Sequence, residues 1–493
     1  MASIADANAA IKSISNDVST TTLDTIADQL RSGQINALRF AWADQHGVLR
    51  GKTVIGDAAL SALKAGVSIT STLIAKDTSG RTVFPVFAAG GNGFGIAALK
   101  GAADVLMKPD ASTYRQLTWA DKTGWVLCDL VHSDLQDEGK PVAFCTRHLL
   151  REALNRAAQL GFGFNVGIEV ELHLFRRIST DWRATEAASP GVPGRAPNVA
   201  LLNPGYQYLS EQRFDLMESA LAPLRAQLLA LGLPIRTMEV EFGPSQCEIT
   251  LDVLPGLEAA DTFVFLRSAI KQICQRMGFH ATFMCRPKIE HLMSSGWHLH
   301  QSLVDSQTQR NVFVPSAVDE ANPLSAVGMQ YLAGLLTHAQ AATVFAVPTI
   351  NGYKRFRPNS LAPDRVLWGR DNRAAMLRVL GKVGDPASRI ENRVGEPAAN
   401  PYLYLASQLL AGLDGIAHQA VAPASADAPY ETPAELLPRD MASALTALDA
   451  STMYRKAFSD DFIAYFIALK RAELARYEQE VSDWEQREYF EFY

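Results

Sequence analysis

Between Gly163 and Phe175, apolar residues recur at every second position. Val166, Ile168, Val170, Leu172 and Leu174 take every second place, and Glu169, Glu171 and His173 fill the gaps between them. A period of two predicts a strand with one apolar face and one face bearing two carboxylates and an imidazole. Three further segments follow the same plan. In TMEVEFGPSQCEITL, Glu239 and Glu241 share a face, a Gly243-Pro244 turn resets the parity, and Glu248 follows. In SSGWHLHQSL, His298, His300 and Ser302 stand opposite Trp297, Leu299 and Leu303, and in SRIENRVGEPAANPYL, Glu391 and Arg393 share a face between Ile390 and Val394. A period near 3.6 predicts helices in LDTIADQLRSG, from Thr146 (as its cap) to Gly161, in FDLMESALAPLRAQLLALG and from Ala259 to Met277. INALRFAWADQHGVLRGKTVI reads as two strands joined by a turn at Asp44 to Gly47, and Ala187 to Asn203 as a loop.

At 493 residues the chain has room for two or three domains of about 150 residues each. Residues 1–145 read as a small α+β domain that opens on a loose, polar arm, and residues 146–493 as a second domain. The glycine-rich AGGNGFG matches neither a Walker loop nor a dinucleotide fingerprint and reads as a turn. YLAGLLTHAQAATVFAVP is interrupted by His338 and Gln340, which makes it a core helix rather than a membrane span. The first twenty residues lack the apolar core of a signal peptide. Hydrophobic residues make up 48%, charged residues 20%, and the net charge of -6 offers no field for a polyanion, so neither nucleic acid nor membrane is an expected partner. The five cysteines form no CxxC pair and encode neither a disulfide framework nor a zinc cluster, which fits a reducing cytoplasm.

Charge changes the picture at the four alternating segments. Solvated strand faces mix Lys, Thr, Ser and Gln, whereas these concentrate Glu and His. Carboxylates brought close repel one another, and their pKa values rise unless divalent cations neutralise them. Oxygen-rich ligand sets suit Mg²⁺, and a histidine or two extends tolerance to Mn²⁺. Two metals combined with arginines are the apparatus of phosphoryl transfer. Arginines are at hand in INGYKRFRPNSLAPDRVLWGRDNRAAMLRV, as Arg355, Arg373 and Arg378, with Arg393 downstream.

With these segments stand DQHGVLRGK, GIEVEL, EFGPSQCE, SSGWHLHQSL, INGYKRF, DNRAAMLR and RIENRVGEPAANPYL, in this order. From about Phe40 onward the chain resembles the glutamine synthetase family. The resemblance implies a small N-terminal β-grasp domain, then a catalytic domain whose antiparallel sheet forms a funnel between subunits, in a homo-oligomer, usually a dodecamer of two hexameric rings. By matching position, Glu171, Glu241 and Glu248 correspond to ligands of the metal at the glutamate end. Glu169, His298 and Glu391 correspond to ligands of the metal on the nucleotide phosphates. His300 and Ser302 match nucleotide-contacting positions, Arg355 and Arg393 glutamate-binding arginines, and Arg373 and Arg378 the phosphate-binding pair. Ser294 stands where a glycine helps to hold glutamate. The implied chemistry uses ATP, L-glutamate and Mg²⁺ or Mn²⁺. The γ-carboxylate takes the γ-phosphate, and an amine then displaces phosphate, with Arg355, Arg373 and Glu391 at the reacting groups.

Two departures bear on the amine. SITSTLIAKDTSGRTVF lacks the family's aspartate-glycine-serine-serine segment, and Leu361 occupies the place of a flap glutamate that captures ammonium. Without those acids a cation site loses both charge and base, so the expected acceptor is an organic amine and Leu361 part of its pocket. The sequence is closest to the branch that makes γ-glutamyl polyamines, alkylamides and anilides. Three alternatives stay open at this point: a true glutamine synthetase using ammonia, a catalytically dead relative, and a ligase for a different acid.

Overall fold

The computed structural model describes residues 22–87, 97–133, 138–179, 181, 183–357 and 360–493. The polar arm and the AGGNGFG turn lie outside them. Two sheets organise the chain. The first takes six strands: β1 (Ala37–Ala43), β2 (Leu49–Ile55), β3 (Val67–Thr70), β4 (Asp104–Pro109), β5 (Arg115–Gln116) and β6 (Thr123–His132). Its order is β2-β1-β6-β4-β3, with β5 also on β6; β1 and β6 run parallel and the other pairs antiparallel. The expected turn between β1 and β2 is built by Asp44. Its Oδ1 accepts from the backbone N–H groups of His46 and Val48, and Gly47 supplies the left-handed φ of 71°.

The second sheet has ten strands. They are β7 (Phe162–Arg177), β8 (Val199–Leu201), β9 (Ile235–Val240), β10 (Gln246–Leu251), β11 (Leu254–Pro255), β12 (Phe279–Thr282), β13 (Trp297–Asp305), β14 (Trp368–Arg370), β15 (Leu377–Leu380) and β16 (Arg389–Asn392). The main order is β14-β15-β16-β13-β7-β10-β9, with β8, β11 and β12 on β7. The sixteen-residue β7 is thus the spine of the sheet, and its alternation was the strongest signal in the sequence. The sheet is antiparallel except at its margin, where β14 pairs parallel with β15. Trp297, Leu299 and Leu303 are buried on the apolar side, with Trp297 stacked on Phe263 of the helix Gly256–Arg276 at 3.9 Å. The buried helix Pro401–Ala417 closes the same side, and its Tyr404 meets Trp297 edge-on.

Two helical expectations need correction. The helix Thr146–Gln159 is capped by Cys145, not Thr146, and no side chain caps it. The Thr146 hydroxyl is engaged elsewhere, accepting from Asn400 Nδ2 at 3.3 Å. The single core helix expected around His338 is two, Ala326–Thr337 and Ala339–Ala346, because His338 leaves helical geometry at φ -101°, ψ 8°. Its Nε2 meets Asp414 at 2.8 Å, a tertiary partner that no local pattern reports.

A buried arginine ties the first sheet to the helices packed against the second. Arg147 donates to Asp110 at the end of β4 (2.7 Å), to Asp129 on β6 (3.0 Å) and, through Nε and Nη2, to both oxygens of Asp261. Tyr402 adds its hydroxyl to Asp261 at 2.7 Å. Burial alone would discharge such a guanidinium, but the surrounding carboxylates, Asp261 first, hold it charged. Arg267 makes a second tie, donating to the carbonyls of Gly47, Pro397 and Ala399. Among the described residues, no helix is long and apolar enough to cross a membrane.

Candidate active site

Register places the charged residues of the four segments on one face of the second sheet. Glu171 on β7 lies opposite Glu248 on β10, which lies opposite Glu239 on β9. One step along, Glu169 lies opposite His298 on β13. His300 lies opposite Glu391 on β16, and Glu391 opposite Arg378 on β15. Five antiparallel pairings thus gather on one surface what the sequence scatters over more than two hundred positions.

Two cavities open onto this face. One, of about 620 Å³, is lined by Glu169, Glu171, Glu241, Glu248 and His298, by Arg355, Arg373, Arg378 and Arg393, and by Ser294 and Leu361. The other, of about 930 Å³, holds His300 and Ser302 with Arg236, Arg310 and Arg389. Among the described residues, only Glu169, Glu239 and Thr250 line both. Of the predicted residues, Glu391 alone lines neither: it is wholly buried behind the first cavity, accepting from Arg378 Nη1 (3.0 Å) and from Arg393 Nη1.

The carboxylates divide into two electrostatic groups. At one end, burial together with the charges of Glu171, Glu169 and Glu241 pushes Glu248 up to about 10. Burial also raises Glu241, to about 8, and Glu171, to about 7, the latter against the pull of Arg355. At the other end, burial opposes ionisation of Glu169, but the imidazoles of His298 and His300 outweigh it and hold the carboxyl far below the usual range. Glu391 is likewise lowered: burial is outweighed by His298, Arg393 and His300. Burial and Arg393 bring His298 down to about 4, so its imidazole is neutral with a lone pair to offer.

This donor set suits hard divalent cations. Burial, with repulsion among neighbouring carboxylates, raises Glu171, Glu241 and Glu248 despite the nearby arginines, and a neutral imidazole stands among them. Ligand atoms of Glu169, Glu248 and His298 lie within 4.8 Å of one another, as do those of Glu169, His300 and Glu391. His298 Nδ1 is also 3.5 Å from Glu169 and 3.8 Å from Glu391, the other partners that the sequence assigned to it. His300 is a poor ligand despite its place in a cluster. Arg389 Nε donates to its Nδ1 at 3.0 Å, so the ring proton sits on Nε2, 2.9 Å from Glu169 Oε1, and no lone pair remains. His173 is buried beyond the cluster and bonds Ser295 through Nδ1 at 3.2 Å.

Arg355 is fixed by three backbone carbonyls, those of Arg393, Val394 and Gly395, at 2.9 to 3.2 Å from Nη1. Gly296 makes room for it, since a Cβ there would stand 2.5 Å from Nη2. Arg393 lines the cavity, and its Nε is buried with no hydrogen-bond partner among the described residues. Arg373 makes no hydrogen bond or ion pair among the described residues and lines the cavity, whereas Arg378 is held by Asp371 at 2.5 Å and by Glu391. Ser294 accepts from Arg286 Nη1 at 2.9 Å.

Sequence reasoning missed the groups that orient these residues. Gln246 Nε2 donates to Glu171 Oε2 (2.9 Å) and Ser295 Oγ (3.1 Å), while its Oε1 accepts from Gly243 N–H (2.9 Å). Asp371 and Arg389 do the same for Arg378 and His300. Arg389 was accessible in principle, since it shares the parity of Glu391 two residues on. Outer partners of this kind are worth about 10–100-fold in metal affinity. Gln246→Leu is therefore expected to weaken Mg²⁺ or Mn²⁺ binding by about that factor in calorimetric titration. Unchanged affinity would show that Gln246 does not orient Glu171.

Comparison with known proteins agrees with this arrangement. Residues 143–489 match the family model of the glutamine synthetase catalytic domain. The chain is 43% identical to a gamma-glutamylanilide synthase of Acinetobacter sp. over 95% of each chain. It is 31% identical to a gamma-glutamylethanolamide synthetase of Streptomyces coelicolor, over 93% of this chain and 94% of that one. Among solved structures it resembles GmaS in its apo form without ligand, with a TM-score of 0.76 at 28% identity, over 95% of this chain and 99% of that one. An oxygen-rich face flanked by arginines, and sequence matches along nearly the whole length, lead to one assignment: the chain belongs to the glutamine synthetase family.

Proposed function

We propose that the chain is an ATP-dependent glutamate-amine ligase that joins the γ-carboxyl of L-glutamate to an organic amine and releases ADP and phosphate. The observation that carries this reading is a set of acid and arginine groups beside a cluster of apolar and aromatic side chains in one cavity. Leu361 stands in that cluster with Tyr208, Leu209, Phe242 and Met293. Relatives named for anilide and ethanolamide products support it.

In this reading Arg355 and the unpartnered Nε of Arg393 receive the carboxylate of glutamate, with Ser294 at its edge. Arg373 and Arg378 meet the phosphoryl group passing between donor and acceptor, and His300 and Ser302 face the nucleotide in the larger cavity. Glu171, Glu241 and Glu248 would hold one Mg²⁺ or Mn²⁺, and Glu169, His298 and Glu391 another; such cations neutralise developing phosphate charge. A γ-carboxylate oxygen bonds to the γ-phosphorus of ATP as the bond to ADP breaks. The amine nitrogen then attacks the acyl carbon, phosphate leaves, and the nitrogen gives up a proton. Arg373, with no hydrogen-bond or ion-pair partner among the described residues, is placed to answer the charge on the phosphoryl oxygens in both steps.

The same reading takes the first sheet as a β-grasp domain ending near residue 145 and the second as part of a funnel completed by another copy. Such copies would assemble into two stacked hexameric rings in the cytoplasm, serving amine catabolism. Product formation from ATP, glutamate and Mg²⁺ with ammonia, isopropylamine, ethanolamine or aniline, followed by mass spectrometry, tests the function. The organic amines are expected to exceed ammonia in kcat/KM. Ammonia as the best acceptor would overturn the reading in favour of a glutamine synthetase.

A further inference from the structure

The mouth of the smaller cavity contains an arrangement that metal and phosphate chemistry does not use. Tyr208 and Phe242 stack there, ring centroids 4.5 Å apart and planes 13° from parallel. Both rings are exposed, at 45% and 40%, as are Leu209 and Leu361 at 53% and Met293 at 36%. All five line the cavity that contains Glu241, Glu248 and Arg373.

The backbone that holds Tyr208 is strained. After Gly205, the non-glycine residues Tyr206, Gln207 and Leu209 all take positive φ, at 59°, 83° and 55°. Leu361 across the cavity does likewise at 59°. Left-handed non-glycine residues persist only where surroundings enforce them, and they cluster at ligand sites. Here Tyr206 N–H bonds the Phe242 carbonyl at 2.8 Å, which pins the strained segment to the end of β9 and sets one ring against the other.

We propose that Tyr208 and Phe242, with Leu361 and Met293, form a subsite for a flat aromatic ring, and that the acceptor of this ligase is an arylamine. The proposal rests on the ligase reading and narrows it. Two features favour an arylamine over an alkylamine. A flat π surface gains most from a flat ring, which can add to the stack face-on or edge-on. An alkylamine arrives as an ammonium ion and must shed its hydration against the side chains of Tyr208, Leu209, Phe242, Met293 and Leu361 before it reaches a carboxylate such as Glu241. An arylamine delocalises its nitrogen lone pair into the ring, is neutral at neutral pH, and enters an apolar rim without that cost.

The test is selectivity, read as the ratio of kcat/KM for aniline to that for isopropylamine with the full-length enzyme, ATP, glutamate and Mg²⁺. Phe242→Leu, which keeps bulk but removes the ring, is expected to lower the ratio on the order of tenfold. Phe242→Tyr, which keeps the ring, should restore it to within about twofold of the starting enzyme. Leu361→Glu should also lower the ratio, by penalising the aryl group and receiving an alkylammonium. If the unaltered enzyme makes the isopropylamide but not the anilide, or if Phe242→Leu leaves the ratio unchanged, the aryl subsite is wrong and the ligase stands. If no amine yields an amide, both fall.

Discussion

Glu391→Gln is expected to lower turnover by about 10²–10³-fold while the chain stays folded. The carboxylate is wholly buried and takes one hydrogen bond from Arg378 and one from Arg393, with His298 3.8 Å away. Glutamine has the same length, but only one of its two terminal atoms accepts. One arginine must then face an amide N–H and turn away, taking with it a guanidinium that lines the cavity. The neutral side chain also leaves Arg378 and Arg393 without the charge between them, which shifts where they sit before any substrate arrives. Steady-state rates of amide formation read the effect, and circular dichroism with size-exclusion chromatography checks the fold and assembly. Turnover within tenfold of the unaltered enzyme would remove Glu391 from the reacting groups.

Divalent cations are expected to stabilise the protein more at pH 9 than at pH 6, on the order of 5 °C in Tm at saturation. Glu248 is raised to about 10 in the folded chain, and Glu171 and Glu241 move the same way. A carboxyl with a raised folded pKa keeps its proton longer when folded, so the unfolded state binds fewer protons and stability falls as pH rises. The fall begins near the ordinary value of 4.5 and runs to about 10. Glu169 and Glu391 are lowered and contribute below 4.5, at the acid end, so they do not cancel it. A bound cation replaces the protons and removes the repulsion, returning at pH 9 the stability lost without it. Thermal melts with and without Mg²⁺ or Mn²⁺ at both pH values provide the check. Equal shifts at the two pH values would mean that these carboxylates do not hold the cation.

Much of the charged face was legible because a strand repeats every two residues. Once β7 was recognised, the parity of Glu169 and Glu171 followed, and the same rule placed His298 with His300. Register was not legible: nothing local says that Glu248 faces Glu171 rather than its neighbour Leu172. Side chains that hold other side chains were also hidden, since Gln246 and Asp371 look like ordinary turn residues until the fold brings Glu171 and Arg378 to them. Tyr208 and Phe242 stayed out of sight for a further reason. Their stack depends on three departures from the usual backbone region within four residues, which propensity counts against, and it joins segments more than thirty positions apart.

Arg147 has a consequence for how such a chain can change over time. Losing it alone would leave Asp110 and Asp261 without their cation, while Asp129 would keep Arg151 at 2.8 Å, and losing one aspartate alone would weaken the others' claim on it. Single steps away from the arrangement are therefore costly. The four positions behave as one inherited character, expected to be kept or replaced together among relatives, and their joint presence marks lineages in which the first sheet was never free to drift from the helix that carries Asp261.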